Sequence, residues 1–335
     1  MSTFTKIGIF RYSTGQKKAI LAGRTIWLEG ANDSRSEEKI RGMTLSGAYL
    51  DEATLLPEDF FAMLLSRMSE RGARLYATTN PDRPSHWLKT EYIDNEKIKD
   101  KSLFTFNIDD NTHLDAVYLE SLKSEYTGVF YDRFILGLWV NAQGRIYDMF
   151  SQDNTYDDNT RKPGLKHVST RRIAVDYGTT NPCTFLDIYD DGTTIWVDNQ
   201  YWWDSRKEMR QKTDTEYVQD IKQFMGDEPA AVTCDPSAAS FIVALKSAGI
   251  YTIEAKNDVL DGIRAVGTLI QRRVIKIHRH RCANLIREMT EYVWDEKASQ
   301  RGEEKPLKAS DHGVDALRYD INTNVQKWRK GVSYH

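Results

Sequence analysis

Apolar positions along the first 140 residues alternate between two periods. Short apolar runs at 25–28, 47–50 and 74–78 have the length and bounding turn residues of strands. Residues 58–71, between the last two, carry Phe60, Phe61, Leu64, Leu65 and Met68 at the spacing of one buried helical face. Strand, helix, strand is the pattern of an α/β unit. Further helical segments lead to Gly137-Leu138-Trp139, and the polar, Gly- and Asp-rich stretch 141–168 that follows predicts a linker.

A second α/β unit is expected over 169–335. The runs 173–176, 184–188 and 194–201 are separated only by turn residues, among them Asp190-Asp191-Gly192, and so predict an antiparallel meander. The period then changes: helix 216–225, strand 231–234, helix 238–248, strand 251–255, and helices over 262–272 and 281–294. A last helix should run from His312 to about 325, with Ser310 or Asp311 as its N-cap.

Composition supports two ordinary folded domains. The chain has 335 residues, 40% of them hydrophobic and 28% charged, enough for two cores and against disorder. No apolar run approaches the roughly 20 residues that cross a bilayer, and the polar start lacks the core of a signal peptide, so a protein of the aqueous interior with no membrane partner is expected. Cys183, Cys234 and Cys282 form no Cys-x-x-Cys pair and should be reduced and buried. The net charge of −3 hides one local bias: from Arg264 to Arg287 there are seven Lys and Arg residues and no acid. That run is either a solvated basic helix face or a contact for a phosphate backbone.

Candidate chemistry lies in acids at element ends. Asp176 closes the run Ile173-Ala174-Val175, and Asp235 closes Ala231-Val232-Thr233-Cys234. Asp315 stands one turn into the last helix, three residues after His312, so both share a face. A single Asp at a strand end is an ordinary turn former or cap. Three carboxylates from separate rigid elements are what a two-metal phosphodiesterase uses, because Mg²⁺ and Mn²⁺ prefer oxygen ligands. In the first half, Gly47-Ala48-Tyr49-Leu50-Asp51-Glu52 is an apolar strand ending in paired acids, the form of a Walker B element. There Asp51 would hold Mg²⁺ through water and Glu52 would polarise the attacking water. Tyr76-Ala77-Thr78-Thr79-Asn80-Pro81 is a second strand with a small polar end.

The words Ile-Ala-Val-Asp-Tyr-Gly (173–178), Thr-Cys-Asp-Pro-Ser (233–237) and Asp-His-Gly-Val-Asp-Ala-Leu-Arg-Tyr (311–319) stand in an order that resembles the ribonuclease H-like nuclease fold. Over essentially the whole chain the sequence resembles phage terminase large subunits, the DNA-packaging ATPase/nucleases, of the PBSX-like kind. Thr78, Thr79 and Asn80 resemble the coupling motif of that family, and Ile40-Arg41-Gly42 the element preceding its Walker B. The resemblance implies a ribonuclease H-like nuclease domain with a mixed sheet, preceded over 1–140 by the C-terminal part of a P-loop ATPase domain. It implies Asp176, Asp235 and Asp315 as metal ligands for two Mg²⁺ or Mn²⁺ ions, and His312 as an auxiliary that binds metal or orients the scissile phosphate. Double-stranded DNA, the terminase small subunit and the portal protein are the implied partners, at the procapsid portal in the host cytoplasm.

One departure is informative. No Gly-x-x-x-x-Gly-Lys-Ser/Thr occurs, and Gly8 to Lys18 has the wrong spacing. The expectation is a chain truncated before the Walker A segment, with Asp51, Glu52, Thr78, Thr79 and Asn80 as an ATPase remnant that uses ATP only if that segment is supplied. The alternatives are an inactive prophage remnant that binds DNA or portal, and another ribonuclease H-like nuclease such as a resolvase.

Overall fold

Two compact units hold the two sets of residues singled out in the sequence. In the computed structural model, which describes residues 10–13, 15, 17–31, 34–160, 170–301 and 303–329, the chain divides into Met1–Leu103 and Phe104–His335.

The first unit holds an antiparallel sheet of β1 (Phe10–Ser13), β2 (Lys18–Leu21) and β3 (Arg24–Trp27), and a parallel pair of β4 (Gly47–Leu50) and β5 (Arg74–Ala77) joined through helix α1 (Glu58–Arg67). Parallel neighbours need a crossover, and the apolar face of α1 supplies one. Phe60, Phe61 and Leu64 bury against Ile40, Leu50, Ala53 and Leu88. Because Leu50 registers with Ala77, the residues that follow the two strands emerge side by side.

In the second unit, α2 (Ala116–Lys123) and α3 (Gly128–Phe134) precede a seven-stranded mixed sheet. Its strands are β6 (Thr155–Tyr156), β7 (Thr170–Asp176), β8 (Cys183–Asp190), β9 (Ile195–Trp203), β10 (Ala231–Cys234), β11 (Thr252–Glu254) and β12 (Ile275–His278), in the order β11-β10-β7-β8-β9-β12-β6. β7, β8 and β9 form the antiparallel meander, and the remaining neighbours pair in parallel. Helices α4 (Asp214–Met225) and α5 (Ala239–Ser247) cover one face. Helices α6 (Val259–Gln271), α7 (Ala283–Glu291) and α9 (His312–Arg329) cover the other, and the short α8 (Glu296–Gln300) lies beyond α7. β7 is therefore buried on both sides: Ile173 and Val175 enter the first core and Ala174 the second. No described helix is long and apolar enough to cross a membrane, and all three cysteines are free and buried.

Two sequence expectations differ from this architecture. The stretch expected as a linker, 141–168, is packed as far as Tyr156, and 161–169 lie outside the described residues. Ala142, Ile146, Tyr147, Phe150 and Tyr156 are buried in the second unit, while the Asn154 side chain donates to the Ile270 carbonyl at 2.9 Å. The polar residues between these positions made the segment look like a tether. Residues 104–140, expected with the first domain, also belong to the second unit: Phe130 packs on its core, Arg133 pairs with Glu304, and Arg272 donates to the Ser121 carbonyl. Strand β12 was hidden in the basic run, its alternating Ile275 and Ile277 masked by the cations around them.

Candidate active site

Period-two geometry in β7 sends Arg172, Ala174 and Asp176 toward α9. Arg172 makes a buried bidentate contact with Asp320, Nε to Oδ1 at 2.8 Å and Nη2 to Oδ2 at 3.0 Å. Asp176 Oδ2 meets His312 Nδ1 at 2.9 Å. Four strand residues span about 13 Å and the eight helix residues from His312 to Asp320 rise about 12 Å. The two contacts are thus matched in spacing, with the helix antiparallel to the strand. On the neighbouring β10, Thr233 registers with Ala174 and its hydroxyl reaches Asp320 at 3.4 Å. Asp235, two residues on, points to the same face beside Asp176.

A cavity of about 380 Å³ opens at this end of the sheet. Asp176, Asp311, His312, Asp315 and Tyr319 line it, with Asn181, Arg206 and Lys308. Asp315 is gripped by Arg318, Nε and Nη2 lying 3.1 and 3.0 Å from its Oδ1, and Lys308 stands 3.4 Å from Oδ2. Asp311 is buried, and its Oδ2 has no hydrogen-bond partner; Lys308 Nζ is 3.5 Å away without hydrogen-bond geometry. Burial pushes the Asp176 carboxyl up to about 6; the charges of Asp315 and Asp311 add to this and His312 opposes it. Burial lowers the His312 ring, but Asp176 more than offsets it, so the imidazole sits above its ordinary value. The protonation of the two groups is therefore coupled through this contact. Burial also raises the Tyr319 phenol far above its usual range, with the charges of Asp176, Asp315 and Asp235 behind it. Burial raises Asp235 as well, yet hydrogen bonds from Ser237, Tyr319 and Asn257 outweigh this and hold it low.

Of the residues expected from sequence, Asp176, His312 and Asp315 line one cavity. Asp235 directly follows the adjacent strand β10, outside the lining and linked to it through Tyr319. Among the described residues, no three His, Cys, Asp or Glu side chains already form a cation cage. Several of the acid oxygens meet protein donors instead: Arg318 and Lys308 on Asp315, His312 on Asp176, and the Ser237 amide on Asp235 at 2.7 Å. The donor set nonetheless suits a hard cation. Three carboxylates line the space, one holds a buried oxygen without a hydrogen bond, and one is driven toward protonation by burial and by the others.

Asp311, expected first as a helix cap and otherwise as a support of the metal ligands, lines the cavity. Lys308, Asn181 and Arg206 had no sequence signal, because their positions follow from loop paths, while Tyr319 closes the 311–319 word without having been singled out in it. Trp202 places its ring edge-on to His312 at 6.0 Å. The basic run 264–287 is largely committed to holding the chain together. Arg273 binds Asn154 at 2.8 Å, Lys276 the Asp153 carbonyl, Arg279 Thr155, and Arg281 both Asp158 and Asp198.

In the first unit, the strand ends bring Asp51 and Glu52 to Thr78, Thr79 and Asn80. The Thr78 hydroxyl donates to Asp51 at 2.8 Å, the Asn80 amide to Glu52 at 3.3 Å, and the Thr54 amide to Thr79 Oγ1 at 3.0 Å. Glu52 adopts a left-handed conformation, φ 52°, and both acids are exposed. Ile40 is buried in the same core as Leu50, while Arg41 faces outward and pairs with Glu37.

A family model described as terminase large subunit, T4likevirus-type, N-terminal, matches residues 6–151. Among solved structures, the large terminase of a thermophilic bacteriophage is 40% identical with a TM-score of 0.87, the match covering 96% of this chain and 80% of that one. The same phage protein in complex with ADP matches at 40% identity and a TM-score of 0.85, covering 96% and 81%. Its complex with ATP-gamma-S matches at 39% and 0.83, covering 97% and 82%. No curated protein matches the chain.

Proposed function

For a chain that belongs to the phage large terminase family, we propose that the second unit is a metal-dependent endonuclease that cuts concatemeric double-stranded DNA during genome packaging, and that its fold is ribonuclease H-like. The observation that carries this is the acid cavity at the end of β7 and β10, with the buried Asp311 oxygen that lacks a hydrogen bond inside it. Asp176, Asp315 and Asp235 are the residues that would hold Mg²⁺ or Mn²⁺, with Asp311 as a further donor. Bound there, such ions supply a nucleophilic water at neutral pH and charge for the leaving oxygen.

The protein's own groups divide the remaining work. His312 presents Nδ1 to Asp176, which leaves Nε2 to orient a phosphate oxygen or accept a proton. Arg318 keeps Asp315 in place from below, buried and donating to Oδ1 only, so that Oδ2 faces Lys308 and the cavity. In-line attack would leave 3′-hydroxyl and 5′-phosphate ends, and contacts to phosphates rather than bases imply little sequence preference. Work with the terminase small subunit and the portal protein is part of the same reading, as is assignment of the first unit to a nucleotide-hydrolysing motor through Asp51, Glu52 and Thr78 to Asn80.

The full chain incubated with supercoiled plasmid should nick and linearise it in Mg²⁺ or Mn²⁺ and not in EDTA, and Asp176→Ala should abolish cutting. Preference for branched DNA would mark a resolvase instead. No cutting in any metal would mark an inactive remnant and overturn the assignment. Without a phosphate-cradling Gly-Lys loop in its sequence, the chain alone should turn over ATP negligibly; turnover that Glu52→Ala removes would contradict this.

A further inference from the structure

The loop between β9 and α4 carries four cations, Arg206, Lys207, Arg210 and Lys212, and they differ in one respect. Lys207 pairs with Asp204 at 3.7 Å, Arg210 with Glu216, and Lys212 with Asp220 at 2.6 Å while stacking 3.9 Å over the Trp203 ring. No carboxylate pairs with Arg206 among the described residues. Its guanidinium is exposed, lies on the cavity lining, and donates from Nη2 to the Asn181 side-chain oxygen at 3.1 Å. The loop under it is built rather than slack. Asp204 Oδ1 accepts the Arg206 amide at 3.1 Å, the Arg210 amide closes on the Ser205 carbonyl at 3.1 Å, and Ser205 is buried.

An arginine held on the rim of a cavity lined by three carboxylates, yet paired with none of them, is arranged for an anion from outside. The planar fork of a guanidinium fits two oxygens of one phosphate, and a side-chain amide oxygen that orients it costs no charge. The cavity itself repels a polyanion until cations fill it, so a fixed positive group at the mouth is where a backbone phosphate gains most. Lys308 is less suited to this role, because it is already drawn to Asp311 and Asp315.

We propose that Arg206, oriented by Asn181, grips a backbone phosphate of the DNA strand at the mouth of the cavity and positions that strand for cutting. This rests on the nuclease reading for its purpose, but it is a statement about binding and can be tested without cleavage. Fluorescence anisotropy of the full chain with a labelled duplex of about 30 base pairs in EDTA, at several salt concentrations, reads it directly. Arg206→Ala should weaken binding about tenfold and reduce the slope of log affinity against log salt by about one. Arg206→Lys should keep the slope, and Lys207→Ala, which removes an exposed and already paired charge, should change affinity less than about twofold. In plasmid cleavage, Arg206→Ala should raise the DNA concentration for half-maximal rate while the rate at saturation stays within about twofold. Arg206→Ala that binds like wild type, or loses no more than Lys207→Ala, overturns the proposal, as does a wild-type chain with no affinity for duplex. A wild-type chain that binds but never cuts, with Arg206→Ala still weakened, would sink the nuclease reading and leave this one standing.

Discussion

Asp176 illustrates how a single buried acid links stability to metal. Its carboxyl is pushed up to about 6 against an ordinary 3.8, a difference that corresponds to about 3 kcal/mol. An acid with a raised native value holds its proton more tightly in the folded than in the unfolded state. The contribution of this carboxyl to native stability is therefore full below about pH 4, is lost as the pH rises through about 6, and stays absent above. The raised His312 ring acts in the same sense, its contribution being lost as pH rises through its folded value. Ions that bind the ionised cluster reverse the penalty, by an amount set by their concentration relative to their affinity. Thermal melts in EDTA should show Tm decreasing from about pH 5 to about pH 7.5, and Mn²⁺ should raise Tm more at the higher pH than at the lower. Asp176→Asn should remove that metal increment; if it survives, the ions bind elsewhere.

Helix α9 is held at three points, and each fixes part of the site. Arg172 and Asp320 anchor its middle to β7, and the Asp176–His312 contact holds its first turn. Also at its start, Glu288 of α7 is fully buried and accepts the Gly313 amide at 2.6 Å. Burial lifts this carboxyl to about 7, and the amides at the start of the helix pull it back. Gly313 is a packing requirement, not a backbone one: a Cβ there would lie 2.8 Å from Glu288 Oε2 and 3.1 Å from Gln200 Nε2. The glycine of Asp-His-Gly-Val-Asp thus lets the His312–Asp315 turn sit against α7. Gly313→Ala should cost about 1–3 kcal/mol by overpacking and depress cutting more than the loss of Tm explains, because the turn that carries both site residues must shift. Glu288→Gln keeps an acceptor and removes a buried charge, so melts at about pH 8, above the raised value, should find it no less stable than wild type. Gly178 plays a similar part after β7, where a Cβ would come within 2.6 Å of the Asn181 carbonyl and disturb the chain leading to Asn181 itself.

At the scale of the molecule, the boundary at Leu103 changes what the second unit contains. A fragment of residues 104–335 should melt cooperatively, whereas one of 169–335 should not. The shorter piece loses β6, the buried Ile146, Tyr147 and Phe150, and partners of Arg273, Lys276 and Arg281. It would also expose the edge of β12. A cooperative melt of 169–335 would show that 104–160 is merely docked. The basic run, open in the sequence to a DNA-contact reading, serves mainly to clasp this preceding segment, so the charge that faces DNA has to be sought at the cavity mouth instead.

What the linear chain determined by itself was local. Alternation and helical spacing set β4, β5, β10, the meander and α9 to within a few residues, since each buries a face whose period is written in its own residues. Element ends carrying Asp51, Asp176, Asp235 and Asp315 were legible for the same reason, and family-like words around them pointed to a terminase. Only the tertiary structure decided what depends on residues distant in sequence. That includes packing of 104–160 onto a later domain, insertion of β12 between β9 and β6, and the turn of Asp311 inward. It includes also the meeting of Asn181, Arg206 and Lys308 at one opening, and the protein donors that Asp176, Asp235 and Asp315 meet. Periodicity records which face of an element is buried, whereas the partner that buries it, and the charge a loop delivers beside it, are set by three-dimensional closure of the chain.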